Sequence, residues 1–317
     1  MPHSAAISRR HFLKQAVVTG AALTHVANLG FAAEPAGVSF GFTLYGMRKL
    51  PVKEALRVCS EIGYDSVEIV CMPDWPSAPE SVSAADRKAL REQLGGSRLT
   101  LASLMENVSP LADDKTHAAN LERLKRACQL GRDLAPDATP IVETVLGGQP
   151  AKWEQVRDQM VNRLHDWAKV AAAENSVIAL KPHVAGALHT PAGAVWLMEQ
   201  LKSPRLRLAY DYSHFELQNI PLQESLAAML PKTVFVHAKD TSGSADKFQF
   251  LLPGDGRTNY VDYFQLLKSE GYKGPIVVEV SGQLHSKPDY DPIQAARRSY
   301  ANLAPLLERA GLRQPRT

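Results

Sequence analysis

Nine side chains in this sequence could do joint acid–base or metal chemistry if the chain brought them to one place: Glu68, Glu106, Glu143, Lys181, His183, Asp211, His214, His237 and Glu279. Asp211, His237 and Glu279 combine two hard oxygen donors with one imidazole. Such a set suits Mn²⁺, Mg²⁺, Co²⁺ or Zn²⁺ and does not choose among them. Any one of the nine, taken singly, reads as a salt-bridge partner or a strand-end cap. Several carboxylates and imidazoles on one rim are costly unless a cation or a polar ligand satisfies them. The residues lie far apart in the chain, so only the fold can join them.

The elements that would do so alternate from residue 37 onward. Strands are expected at 38–44, 66–70, 99–104, 140–146, 177–180, 206–210, 233–238 and 275–280. Helical periodicity marks 52–62, 84–94, 117–130, 153–174, 191–201, 222–229, 261–270 and about 292–310. Gly63 and Gly271 follow two of these helices as stop signals, and Pro191 sits in the first turn of another. Strands separated by helices imply right-handed crossovers and a parallel sheet. Eight such units within about 280 residues fit a single (β/α)8 barrel of the α/β class. No GxGxxG follows the first strand, which counts against a dinucleotide-binding sheet. In a barrel the site lies at the carboxyl ends of the strands, where these nine residues fall. Tyr45, Trp75, Phe215 and Phe250 are placed in or near rim loops, where aromatic faces could meet C–H groups of a ligand, although any one of them is ordinary core material. Lys247 and Gln249 precede Pro253 and could reach the same pocket.

Residues 1–32 read separately. Ser8-Arg9-Arg10-His11-Phe12-Leu13-Lys14 precedes a mildly apolar run from Ala16 to Ala32 that ends in small residues. This resembles a twin-arginine export signal, so the expectation is a periplasmic protein with its barrel at 37–310. The formal charge is +3, and residues 1–32 hold Arg9, Arg10 and Lys14 with no acid, so the remainder is neutral (3 − 3 = 0). No run of Lys and Arg with interleaved aromatics points to nucleic acid, and no later stretch is long and apolar enough to span a bilayer. Cys59, Cys71 and Cys128 have no CxxC spacing and form neither a disulfide framework nor a zinc site, although one bridge is open. Cys59 falls in an apolar helical pattern and reads as core. A homo-oligomer is left open.

Several motifs carry a resemblance. They are Ala55-Leu56 through Ile62-Gly63-Tyr64-Asp65-Ser66-Val67-Glu68, Pro182-His183-Val184 with Thr190-Pro191, and Asp211-Tyr212-Ser213-His214-Phe215. Val236-His237-Ala238-Lys239-Asp240, Pro253-Gly254-Asp255-Gly256 and Gly271-Tyr272-Lys273-Gly274 with Val278-Glu279 complete the set. Together they resemble the xylose isomerase-like TIM-barrel superfamily, often labelled sugar phosphate isomerase/epimerase. The resemblance implies a metal held by two Glu, one Asp and one His. Asp211, His237 and Glu279 match three positions, but Lys181 stands where the fourth ligand, a glutamate before Pro-His, is expected.

Three outcomes are open, in this order. A metal stays on Asp211, His237 and Glu279 with Glu143, His183 or water completing the shell; Lys181 replaces it as the electrophile; or the site only binds sugar. The chemistry implied is proton transfer next to a carbonyl on a small sugar or polyol. Glu279, Lys181 and Glu143 are the catalytic candidates, and His183, His214 and Glu68 the substrate-binding ones. Lys181 is expected to have a lowered pKa and to serve as acid or base. The rival functions are a lyase or hydrolase of oxidised (3-keto) glycosides and a non-catalytic periplasmic sugar-binding barrel.

Overall fold

The computed structural model describes residues 38–314. The expected export segment, 1–32, lies outside them. Seven strands follow in chain order: β1 (Phe40–Thr43), β2 (Ser66–Val70), β3 (Thr100–Met105), β4 (Ile141–Val145), β5 (Val177–Lys181), β6 (Leu206–Asp211) and β7 (Thr233–Ala238). An antiparallel hairpin of β8 (Asp240–Ser244) and β9 (Lys247–Leu251) comes next, and then β10 (Ile276–Val278). β10 pairs with both β7 and β1, so eight parallel strands close into one barrel in the order β1-β10-β7-β6-β5-β4-β3-β2. The (β/α)8 expectation holds. The hairpin between the seventh and eighth barrel strands was not anticipated.

The helices are α1 (Val52–Ile62), α2 (Ala84–Gly96), α3 (Asp114–Leu134), α4 (Trp153–Ala173), α5 (Pro191–Leu201), α6 (Tyr212–Glu216), α7 (Leu222–Met229), α8 (Tyr260–Ser269), α9 (Gly282–His285) and α10 (Pro292–Arg309). Several of their starts carry side-chain caps, whereas α1, α4 and α7 have none. Ser83 accepts from the Asp86 amide, Asp113 from Thr116 and Thr190 from Gly193. Gly63 ends α1 at φ 111, a left-handed conformation that glycine adopts without cost. α6 and α9 are single short turns at strand ends and were missed. Five and four residues leave no room for a helical period to show. Cys59, Cys71 and Cys128 are all buried thiols, so the open disulfide is not formed.

The barrel interior explains how the site is built. Its floor is apolar: Ala102, Ala179, Ala209, Phe235 and Val277, with Ile141 packed against them. Side chains along a strand alternate faces with period two. Two residues beyond Ala179, Ala209, Phe235 and Val277 come Lys181, Asp211, His237 and Glu279, and Glu143 stands two beyond Ile141. The chemical layer is thus the next inward layer above an inert floor. The Phe235 ring meets the His237 ring edge-on at 4.7 Å, joining the two layers.

Beyond β7 the loop at Pro253–Thr258 folds over Asp240. The Asp240 carboxylate accepts from the backbone amides of Gly254 at 2.8 Å and Thr258 at 3.1 Å. Gly256 passes so close that a Cβ there would lie 2.4 Å from Asp240 Oδ1 and 2.6 Å from the Thr241 carbonyl. Gly256→Ala should therefore destabilise the protein by about 2 kcal/mol in urea unfolding. Gly95→Ala has open space around its Cβ in α2 and should instead stabilise it by about 0.5–1 kcal/mol.

Candidate active site

At the carboxyl ends of the strands the barrel opens into a cavity of about 130 Å³. Tyr45, Asn107, Lys181, His183, Lys239, Phe250, Glu279 and Ser281 line it. β5 delivers Lys181, β7 leads into Lys239, and the residue after β10 is Glu279. Below the lining, fully enclosed, lie Glu68, Glu143, His214 and His237, with Asp211 beside them. One barrel end therefore holds four buried carboxyl groups, two lysines and three histidines.

The two lysines organise it. Lys181 Nζ lies 3.1 Å from Glu143 Oε1, 3.0 Å from His237 Nδ1 and 3.4 Å from both oxygens of Glu279. Lys239 Nζ lies 2.6 Å from Glu279 Oε2 and 3.1 Å from Asp211 Oδ2, and 4.1 Å over the Phe250 ring. Burial alone would push the Lys181 pKa down, but Glu143, Glu279, Asp211 and Glu68 outweigh it and raise it. The expected lowering is thus corrected: Lys181 is a fixed ammonium, because it is surrounded by acids rather than isolated. Burial pushes Glu279 toward its neutral form, yet the two ammonium groups hold its pKa far below the usual carboxylate range. Asp211 is held down in the same way by Lys239 and His214 against burial. Glu143 goes the other way: its burial dominates and raises its pKa, with Lys181 offsetting only part.

The histidines differ in state. His237 Nε2 faces Glu68 Oε2 at 3.0 Å, and Ser103 holds the other oxygen of Glu68 at 2.8 Å. Burial and Lys181 push the His237 pKa down, while Glu68 and Glu279 pull it up past its ordinary value. Lys181 can donate to Nδ1 only if that nitrogen is bare, so with the ammonium in place the ring proton sits on Nε2, toward Glu68. His183 accepts from the Ala185 amide at Nδ1, which leaves its Nε2 as the donor. Burial, His214 and the two lysines push the His183 pKa down to about 2. His214 packs 4.1 Å behind it, ring to ring, with its Nε2 3.3 Å from Asp211 Oδ2. Burial takes the His214 pKa down to about 4, against the pull of Asp211.

Asp211, His237 and Glu279, nominated as a metal set, do come together. One ligand atom of each lies within 4.8 Å of the others. As the side chains stand, however, a divalent cation does not fit between them. Lys239 contacts Asp211 and Glu279, and Lys181 contacts the His237 nitrogen and Glu279. A divalent ion about 4 Å from one ammonium is repelled by about 8 kcal/mol at an effective dielectric of about 20.

The remaining nominees scatter. Among the substrate-binding candidates only His183 borders the cavity, while His214 and Glu68 stand beneath it and orient Asp211 and His237. Glu106 turns aside to pair with Arg123. Tyr45 and Phe250 are rim aromatics, Trp75 stacks behind Tyr45 at 5.0 Å, and Phe215 is core. Lys247 and Gln249 lie exposed on the hairpin. Lys239 was not nominated, although the period-two sequence Phe235, His237, Lys239 carries the inward face one step past the strand.

A pH dependence follows from His214. Its folded pKa of about 4 lies below the ordinary 6.5, so the unfolded chain binds the extra proton between those values. Its contribution is fully present above about pH 6.5 and is lost as the pH falls toward about 4, about 3 kcal/mol in all. Thermal melts should show this fall, to which His183 adds down to its own folded value of about 2, and His214→Gln should make it shallower over that window by removing the His214 share.

The sequence of residues 56–308 matches the family described as xylose isomerase-like TIM barrel. L-Ribulose-5-phosphate 3-epimerase UlaE of Salmonella typhi is 25% identical over 245 residues, covering 74% of this chain and 84% of the relative. In fold the chain is similar to 3-keto-D-glucoside 4-epimerase from E. coli, with a TM-score of 0.68 at 17% identity, over 84% of this chain and 99% of the other. It is also similar to the IOLI protein with a binding zinc atom, with a TM-score of 0.70 at 18% identity, over 86% and 99%. With the closed barrel and the family match over most of its length, the chain belongs to the xylose isomerase-like TIM-barrel family.

Proposed function

We propose that this protein is an exported isomerase or epimerase that moves a proton next to the carbonyl of a small, unphosphorylated sugar. The observation that carries the reading is the cavity edge, where one carboxylate, Glu279, stands against two ammonium groups, Lys181 and Lys239. Deprotonation beside a carbonyl needs a base next to the carbon and positive charge at the oxygen that becomes negative. Those two requirements are met side by side. The named relatives, which include sugar epimerases, support the reaction class, and the twin-arginine pattern at Arg9-Arg10 supports export.

The residues divide the work as follows. Lys181 and Lys239 face the carbonyl oxygen and the neighbouring hydroxyl. Glu279 takes the proton. In the free protein the ammonium groups make it a weak base, and a substrate oxygen that draws on their positive charge raises its basicity. Glu143, under Lys181 and raised in pKa by burial, is placed to keep a proton in the site. His183 presents a neutral ring to a substrate hydroxyl, and Phe250 and Tyr45 offer apolar surface to C–H groups. Both cations that line the cavity are paired with carboxylates, which argues against a phosphorylated substrate.

The test is incubation in D₂O with unphosphorylated ketoses and 3-keto-glucosides, read by NMR and mass spectrometry. The expected result is deuterium at the carbon next to the carbonyl, with the carbon skeleton intact. Two fragments in place of one would replace this reading with elimination from a glycoside. No exchange with any sugar that binds would make the barrel a binding protein. Glu279→Gln should lower the exchange rate by about 10²–10⁴-fold with the fold retained by circular dichroism.

A further inference from the structure

The family resemblance calls for a divalent cation at this barrel end, and the side chains answer with something else. The donor atoms that could ligate one are Asp211 Oδ2, Glu279 Oε2 and His237 Nδ1, and Glu143, against Lys181, is the carboxylate considered as a fourth. Each is already in contact with an ammonium nitrogen: Asp211 and Glu279 with Lys239, and His237, Glu279 and Glu143 with Lys181. The other nitrogen of His237 is turned to Glu68, so the ring has no second lone pair to offer. Asp211 Oδ2 has no well-aligned hydrogen bond, and the ammonium contact is what balances its charge; Glu143, which burial drives toward its acid form, lacks one too and lies 3.1 Å from Lys181 Nζ. Lys181 is itself 3% exposed, so its charge cannot be carried off into solvent. Lys239 is fixed too. The next residue, Asp240, is tied to the Gly254–Thr258 loop, and the Lys239 ammonium itself lies 4.1 Å over the Phe250 ring.

We propose that Lys181 and Lys239 together stand in the place of the divalent cation, so that the centre takes up no metal and meets the developing oxygen charge with two fixed ammonium groups. This rests on the carbonyl reading above for what the charge is used for, and not for whether a metal binds. In the reaction, the electron pair of the C–H bond next to the carbonyl moves toward the carbonyl oxygen and the proton goes to Glu279. Return of the proton to carbon restores the carbonyl, so no oxidant, reductant or co-reactant is consumed. Lys181 occupies the position where the motif calls for a carboxylate ligand. A lysine there means one ligand fewer and one ammonium more at the centre.

The test is metal content without substrate. The full chain is expressed with Mn²⁺, Co²⁺ and Zn²⁺ in the medium, purified without chelator and analysed by mass spectrometry of the elements. The natural chain should hold below about 0.1 equivalent of any of the three, and adding each salt should leave its melting temperature in place. Lys181→Glu combined with Lys239→Met, which removes both ammonium groups, should take up about one equivalent and melt higher with metal than without. Lys181→Gln, which removes the charge with less change, should bind more metal than the natural chain. About one equivalent in the natural chain, lost in Asp211→Ala, overturns the proposal. So does a folded chain carrying both Lys181→Glu and Lys239→Met that binds no metal, since Asp211, His237 and Glu279 would then be no cation site for the two lysines to displace. Failure to find a sugar that exchanges deuterium leaves these measurements unaffected, and the reverse also holds.

Discussion

Glu68, Glu143, Asp211 and Glu279 are buried at one barrel end, and carboxylates cannot share such a space without positive charge among them. Lys181 supplies it at the centre, within 3.4 Å of Glu143, His237 and Glu279. Lys239 supplies it at the rim, between Glu279 and Asp211. Removing one partner of a buried pair costs about 3–5 kcal/mol, because the survivor keeps its desolvation penalty and loses its compensation. The arrangement is therefore held in common, and the pKa of each group depends on which neighbour it touches. Glu279 between two ammonium groups is fixed as an anion, while Glu143 with one is driven toward its acid form.

The barrel makes this possible with little local specialisation. Short parallel strands place an apolar floor of Ala179, Ala209, Phe235 and Val277 in one layer and the reactive residues two positions later in the next. Ala179 and Ala209 lie directly beneath Lys181 and Asp211 in this period-two layering. The floor keeps water out from below, and the loop tied to Asp240 steadies the chain just past Lys239. Polar residues that do not reach the cavity still act on it. Glu68 sets the tautomer of His237, and His214 stands behind His183 against Asp211.

Much of this was legible in the residues. The eight strands and the helices around them follow from alternating short apolar runs and amphipathic segments, because each element is long enough to show its period. The convergence of Asp211, His237 and Glu279 followed from the barrel rule that strand ends meet. What sequence spacing could not supply was the sharing of those donors. A lysine in a motif does not reveal whether it faces solvent or three acids, so Lys181 was expected to lose basicity and instead gains it. Lys239 went unnominated because it follows the strand, where an exposed lysine is the ordinary case. The hairpin of Asp240–Ser244 and Lys247–Leu251 was missed for another reason: its first strand has no apolar alternation, and in the second Phe248 and Phe250 alternate over only five residues.

The account depends on two lysine nitrogens filling the space that relatives of this fold could give to an ion. A crystal structure of the natural chain grown with MnCl₂, phased to reveal anomalous scatterers, tests that most directly. The account predicts no anomalous peak among Asp211, His237 and Glu279, with the Lys181 nitrogen in contact with Glu143 and Glu279. A manganese peak bonded to those three residues, with Lys181 swung away from them, would contradict it.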